Sequence, residues 1–311
     1  MNSLQVHKAT YNSRGLEGIE AVPVMCILFL HTDNNAAPDK FRLILASNRD
    51  EYYKRPTRQA HIWEEDPTVI GGRDLEPGRE GGSWLVLSTK GRIAVLLNVT
   101  GENIKDPSTK IGRGFLAVDF VTNKEQKTQE EYHEKISLHG YKYSPFSLVT
   151  IDISSENINV QQYSNASGSK DHAENVGSGP RGWGNCLLDN PFRKVTVGTS
   201  RFKEVVETYG TKENKDKLIQ ELLVLLKWEK SHFPDPVLQQ RLKQLTPSVI
   251  EKTSSVFINI PERGYGTRTH SIILIDGDGK IDFMEWTMEE PIDPQNPSWT
   301  SIKFSSQLKN H

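Results

Sequence analysis

Apolar runs in this chain come in pairs. "MCILFLH" and "FRLILAS" are parted only by "TDNNAAPDK", and "SWLVLSTKGRIAVLLNV" holds two runs that meet at Lys90-Gly91. "PFSLVTIDI" and "INVQQYS" are parted by "SSEN". Strand-length runs joined by short polar turns specify antiparallel neighbours, because a parallel pair needs a long crossover between its strands. Helical patterns fall between the pairs. "GRGFLAVDFVTN", "TQEEYHEKISLHG" (stopped at Gly140) and the stretch from Gly198 to Tyr209 read as helices. In "NKDKLIQELLVLLKWEK", Leu218, Leu222, Leu225 and Leu226 line one face and Asn214 stands at the N-cap. "SVFINI" and "THSIILIDGDGKIDFMEW" add three strands near the C-terminus. This order predicts an α+β fold, antiparallel sheets with helices packed outside them, and not alternating βαβ units. "GGRDLEPGREGGSW" reads as a long polar loop that could rim a site, and "SNASGSKDHAEN" as a flexible stretch.

Several function classes fall away on composition. A formal charge of −2 over 311 residues, with Lys and Arg dispersed, gives no concentrated basic face for nucleic acid. Two cysteines, Cys26 and Cys186, make neither a disulfide framework nor a thiolate zinc site. No apolar run approaches the roughly 20 residues that span a bilayer, so a soluble protein is expected. The nine histidines show no HExxH pattern, and Asp276 and Asp278 read as a hairpin turn, so no structural metal is expected. Residues 1–24 read as a poorly ordered extension with Met25 as an internal start, and 25–311 as one domain.

The stretch "ASNRDEYYKRP" runs straight out of a strand into Asn48, Arg49, Asp50 and Glu51. If the first two runs pair antiparallel, Cys26 at the start of one lies beside Asn48-Arg49-Asp50 at the end of the other. A cation next to a thiol raises its thiolate fraction. The plainer alternative is a solvated strand end carrying an ion pair.

"MCILF", "LILASNRDEYYKRP", "GREGGSWLVLSTKGRIAVLLN" and "YGTRTHSIILID" together resemble the NRDE family, also called the transport and Golgi organisation protein 2 family. The resemblance runs from Met25 to about Glu290, with "GWGNCLLDNPFRKV" fitting apart from Trp183-Gly184, where the family carries Leu-Ser. The family is similar to N-terminal nucleophile (Ntn) hydrolases. The resemblance therefore implies a four-layer αββα sandwich, two antiparallel sheets between helical layers. In Ntn enzymes the first residue attacks an amide while its own α-amine takes up the proton. An amine with a pKa near 8 can do this, and a peptide nitrogen cannot. On this chain the resemblance makes Cys26 the nucleophile, Arg49 the cation beside it and Asp50 the carboxylate that orients the amine. Asn98 and Asn185 become candidate oxyanion donors, with backbone capping as the alternative. Arg268 becomes a second cation for a substrate carboxylate, with a structural ion pair as the alternative.

The resemblance also implies haem trafficking, in which members move haem from storage or producing compartments to acceptor proteins. Haem is then a transported ligand, its partners are haem-acceptor proteins, and transient membrane contact is an option. Asn48, Trp84, Arg268, His270 and His61 are the ligand-binding candidates, and Cys26, His270 and His61 could reach the iron. The location implied is cytoplasmic, with mitochondrial or Golgi association as further options. Two other readings stay open: a cysteine Ntn amidohydrolase acting on a small amide or acyl substrate, and a role in secretory-pathway organisation or lipid homeostasis.

Overall fold

A computed structural model describes residues 22–102 and 109–309. The expectation for residues 1–21 lies outside the described residues. Strand β1 (Met25–Thr32) pairs antiparallel with β2 (Phe41–Tyr52), which places Cys26 opposite Arg49, as the hairpin reading requires. The sheet continues through β12 (Tyr265–Asp276), β13 (Lys280–Met288) and β14 (Trp299–Gln307). The short β10 (Arg181–Trp183) flanks β1, and β11 (Asn259–Ile260) pairs with β12. A second antiparallel sheet runs in chain order through β3 (Thr57–Ile62), β4 (Val69–Asp74), β5 (Leu85–Ser88), β6 (Arg92–Asn98), β7 (Phe146–Ile153), β8 (Ile158–Ser164) and β9 (Glu174–Asn175).

Period-two alternation sorts the core. Leu28, Leu30, Leu43 and Leu45 of the first sheet meet Leu85, Leu87, Val95, Leu97 and Ile151 of the second, forming the layer between the sheets. The other faces of the same strands, with Ile27, Phe29, Ile44 and Ala46, are covered by helices α3 (Arg193–Tyr209), α4 (Lys215–Leu226), α5 (Pro236–Arg241) and α6 (Pro247–Thr253). Helices α1 (Gly114–Thr122) and α2 (Gln129–His139) cover the outer face of the second sheet. The result is the four-layer αββα sandwich of two antiparallel sheets that the resemblance implied. Among the described residues no helix is long and apolar enough to cross a membrane.

Some local expectations need correcting. Gly71 and Gly72 sit in β4, not in a loop, because a Cβ at Gly71 would fall 2.7 Å from the Leu85 carbonyl oxygen and one at Gly72 2.5 Å from the Trp84 ring. The close strand approach requires glycine. Helix α3 begins at Arg193 rather than Gly198. "SVFINI" supplies only a two-residue strand, and "SNASGSKDHAEN" ends in β9. Asn214 holds the N-cap position of α4, but its side chain turns to Thr211 Oγ1 (3.0 Å) and caps nothing. The four α4 leucines are all buried as expected.

Residues 22–24, read as the end of a loose extension, are fastened. Tyr52 Oη donates to the Val22 carbonyl (2.9 Å), and Tyr265 Oη donates to the Pro23 carbonyl (3.1 Å). The same Tyr265 hydroxyl accepts from the Met25 amide (2.9 Å). Val22 itself is packed into the helix-side core.

Candidate functional site

A cleft of about 310 Å³ opens at one end of the sandwich. Its walls come from the start of β1, the end of β2, the β4–β5 region, the end of β6 and the first turn of α1. Cys26 is on the wall and only 8% exposed. Beside it Arg49 reaches Glu51 (3.5 Å), and its guanidinium lies 4.2 Å over the Trp84 ring. Glu51 is shared with Arg55 (3.5 Å), whose guanidinium also grips Asp74 through two bonds, 3.1 and 2.7 Å.

The thiol itself is in a poor state for attack. Burial pushes the Cys26 pKa up to about 12, the charge of Asp50 adds to the rise, and a backbone hydrogen bond from Asp50 and the charge of Arg49 only partly offset it. Its nitrogen is a peptide amide that donates to Asn185 Oδ1 at 2.6 Å. Asn185 Nδ2 in turn donates to the Asn98 carbonyl (2.7 Å) and the Val24 carbonyl (3.3 Å). Asn185 therefore ties the two sheets together behind the cleft while holding the nitrogen that an Ntn reaction would use. Asn98 lines the cleft directly.

Of the residues expected at the site, Cys26, Arg49, Asn98 and Trp84 line one cleft, and Asn185 binds its backbone. The others lie elsewhere. Asn48 and Asp50 share the helix-facing side of β2, because the even positions of that strand point away from the cleft. Asn48 Nδ2 donates to the carbonyls of Leu226 (2.8 Å) and Val256 (3.0 Å), which anchors the helical layer away from the cleft. His270 also faces that layer. Its Nδ1 meets Asn48 Oδ1 at 2.7 Å, its ring stacks on Trp299 at 4.9 Å, and burial lowers its pKa to about 3. Arg268 occupies a bulge in β12 and donates to the carbonyls of Tyr52, Tyr53 and Arg55 while pairing with Glu290. It fixes the turn after β2 and does not line the cleft. His61 is on the edge strand β3, with Nδ1 against the Gln59 carbonyl, and does not line the cleft.

Asp50 is fully buried and accepts from Thr267 Oγ1 at 2.6 Å. Burial raises its pKa to about 6 although the charge of Lys194 opposes the rise. Lys194 on α3 is equally buried, and neither Lys194 Nζ nor Asp50 Oδ2 has a hydrogen-bond partner among the described residues. Both lie behind the cysteine, where burial disfavours the charge on each and the charge of each favours that of the other. Sequence reasoning missed Lys194 and the remaining cleft arginines, Arg55, Arg79 and Arg113. Each sits in a motif that was visible, "FRKV", "YYKRP", "GREGG" and "GRG", without any sign that the fold would gather them.

A family model described as "Transport and Golgi organisation 2" matches residues 25–290. The Transport and Golgi organization protein 2 of Drosophila melanogaster is 36% identical over 292 residues, covering 92% of this chain and 99% of that protein. The Homo sapiens homolog is 36% identical over 287 residues, 92% of this chain and 100% of the homolog. Among solved structures, a Caenorhabditis elegans N-acylethanolamine-hydrolyzing acid amidase ortholog is similar at TM-score 0.37 and 10% identity, covering 80% of this chain and 92% of that one. A mutant conjugated bile acid hydrolase from Clostridium perfringens is similar at TM-score 0.36 and 10% identity, covering 90% of this chain and 97% of that one. With its NRDE strand, its Met-Cys start to β1 and a family match across most of its length, this chain belongs to the Transport and Golgi organisation 2 family.

Proposed function

We propose that this chain is a carrier that holds an anionic, amphipathic ligand in the Cys26 cleft, haem being the ligand the family resemblance supplies, and hands it to acceptor proteins. The observation that carries this reading is the state of the Cys26 nitrogen. It is an amide hydrogen-bonded to Asn185, and the residues before it are fastened by Tyr52 and Tyr265. The base of an Ntn reaction is absent from this arrangement, while the cleft keeps features suited to holding a ligand. Guanidinium groups line it to pair with propionates, and Trp84, Leu96 and Phe115 offer apolar surface. His61 and His270 stand outside it, which leaves Cys26 as the one sulfur or imidazole donor among the lining residues. Ile111 and Phe115, 49% and 43% exposed at the mouth, suit a transient contact with an acceptor or a membrane. The location proposed is cytoplasmic, with mitochondrial or Golgi association.

The test is a haem titration of the full chain followed in the Soret band. Saturable one-to-one binding that survives Cys26→Ala and weakens in Arg49→Gln supports the carrier. Amide turnover abolished by Cys26→Ala, with no saturable Soret change, would sink it. A second reading has its own observation: Cys26, Asn185, Asn98 and Arg49 are grouped as a cysteine Ntn amidohydrolase would need them. It requires cleavage between Met25 and Cys26, which intact mass and N-terminal sequencing of the protein from its native cell would detect.

A further inference from the structure

We propose that the mouth of the cleft, where Arg79 and Arg113 meet the N-terminus of α1, is a binding site for a phosphate-class dianion. Four arginines line the cleft, Arg49, Arg55, Arg79 and Arg113, against two carboxylates, Glu51 and Asp74. Both carboxylates are already engaged, Asp74 by Arg55 and Glu51 by Arg49 and Arg55. Among the described residues Arg79 donates to the Lys110 carbonyl at 3.5 Å and Arg113 to the Pro145 carbonyl at 2.8 Å. Among the described residues neither has a carboxylate within ion-pair distance. Two positive charges among the described residues are therefore left without a paired carboxylate, and that count matches a dianion better than a single carboxylate.

Three further features point the same way. Arg49, 5% exposed, leaves its Nη1 without a hydrogen-bond partner in the wall of the same cleft. The first turn of α1, at Gly114 and Phe115, lines the cleft with no side-chain cap and no acidic residue in that turn, so the positive end of the helix dipole adds to the charge of the arginines. The two arginine loops are also built to touch. A Cβ at Gly112 would lie 3.0 Å from Arg79 Nη1, and one at Gly114 would lie 2.8 Å from the Gly82 Cα. Glycine at these positions lets "GREGG" and "GRG" close on each other. Burial, reinforced by the charges of Arg79 and Arg55, lowers the Arg113 pKa to about 10, the cost an incoming anion would relieve.

The site goes beyond the haem reading and does not need haem to be the ligand. Calorimetric titration of the full chain with dodecyl phosphate, dodecanoate and dodecanol tests it, with inorganic phosphate as competitor. Dodecyl phosphate should bind tightest, and Arg79→Gln should weaken it about tenfold or more, while the exposed Arg181→Gln leaves it unchanged. Arg113→Gln should act in the same direction, and Arg79→Gln keeps the test valid if the more buried Arg113 is needed for folding. Competition by millimolar inorganic phosphate would identify free phosphate as sufficient, and Arg79-dependent binding without such competition would identify an esterified phosphate. Equal affinity for the three amphiphiles, or indifference to Arg79→Gln, overturns the site. Haem binding that persists alongside that indifference overturns this site alone, and phosphate binding without haem binding overturns the haem reading alone.

Discussion

Asn185 offers the sharpest test of how the cleft floor is built. Its side chain is fully buried and makes three bonds to backbone: from the Cys26 amide at 2.6 Å, to the Asn98 carbonyl at 2.7 Å and to the Val24 carbonyl at 3.3 Å. Asn185→Ala leaves the Cys26 N–H and the Asn98 carbonyl without their partner in a place water reaches poorly. A buried polar group that loses its partner costs about 1–3 kcal/mol, so the two short bonds together predict a loss of about 2–6 kcal/mol. That is a large share of the roughly 5–15 kcal/mol that holds a domain folded. Asn185→Asp divides the effect. It keeps the acceptor for Cys26 but sets an oxygen against two carbonyl oxygens, where only a protonated carboxyl can donate. The folded pKa of the new aspartate is therefore raised. The stability lost at pH 7 should return partly as pH falls below that raised value, measured against the parent at each pH. Urea unfolding at pH 7 and pH 5 reads both variants. An alanine variant within about 0.5 kcal/mol of the parent, or an aspartate variant with no recovery at pH 5, would refute the argument that this one amide joins the two sheets.

Two other substitutions check the residues the fold reassigns. Arg268→Gln should destabilise by about 3 kcal/mol, because three carbonyl acceptors and Glu290 lose a buried guanidinium, yet ligand affinity measured on the folded fraction should stay within about twofold. A large affinity loss with intact stability would return Arg268 to the binding site. His270 has its pKa lowered from the ordinary value near 6.5 to about 3, so its contribution is present above pH 6.5 and is lost as pH falls toward 3. Between pH 7 and pH 5 that loss is about 2 kcal/mol, and His270→Asn should remove it. Asp50, raised to about 6, acts in the opposite direction, so the quantity to read is the difference between variant and parent at each pH. A variant with the parent's pH slope would show that His270 is not the group responsible.

What the sequence made legible follows from strand periodicity. Pairing β1 with β2 was readable from two apolar runs and a polar turn, and the register then placed Cys26 opposite Arg49. The strands that escaped are those without a plain apolar run. In β14 exposed and half-buried residues alternate, and β4 carries two glycines that look like loop until the neighbouring Trp84 is seen. The site was legible where one strand carried it and hidden where loops did. Arg79 and Arg113 come from loops separated by two strands, and only their glycine contacts reveal that they meet. Arg268 misled for another reason. A bulge between Thr267 and Thr269 breaks the alternation, so counting by twos from His270 gives no guide to where its side chain goes.

The motif that names the resemblance divides along the strand's own period. Arg49 and Glu51 turn into the cleft beside Cys26, while Asn48 and Asp50 turn toward the helices. Asn48 fastens the ends of two helical segments through Leu226 and Val256, and Asp50 meets Thr267 and the charge of Lys194. Two residues of the four thus form a site and two fix the layer behind it. A ligand pressing on Arg49 and Glu51 acts on a strand whose opposite face is anchored at each neighbouring position. Such a strand is poorly placed to swing and well placed to hold a fixed charge pattern. On the carrier reading proposed above, opening of the cleft would come from its other wall, where the "GREGG" loop and the start of α1 meet through glycines and carry Arg79 and Arg113.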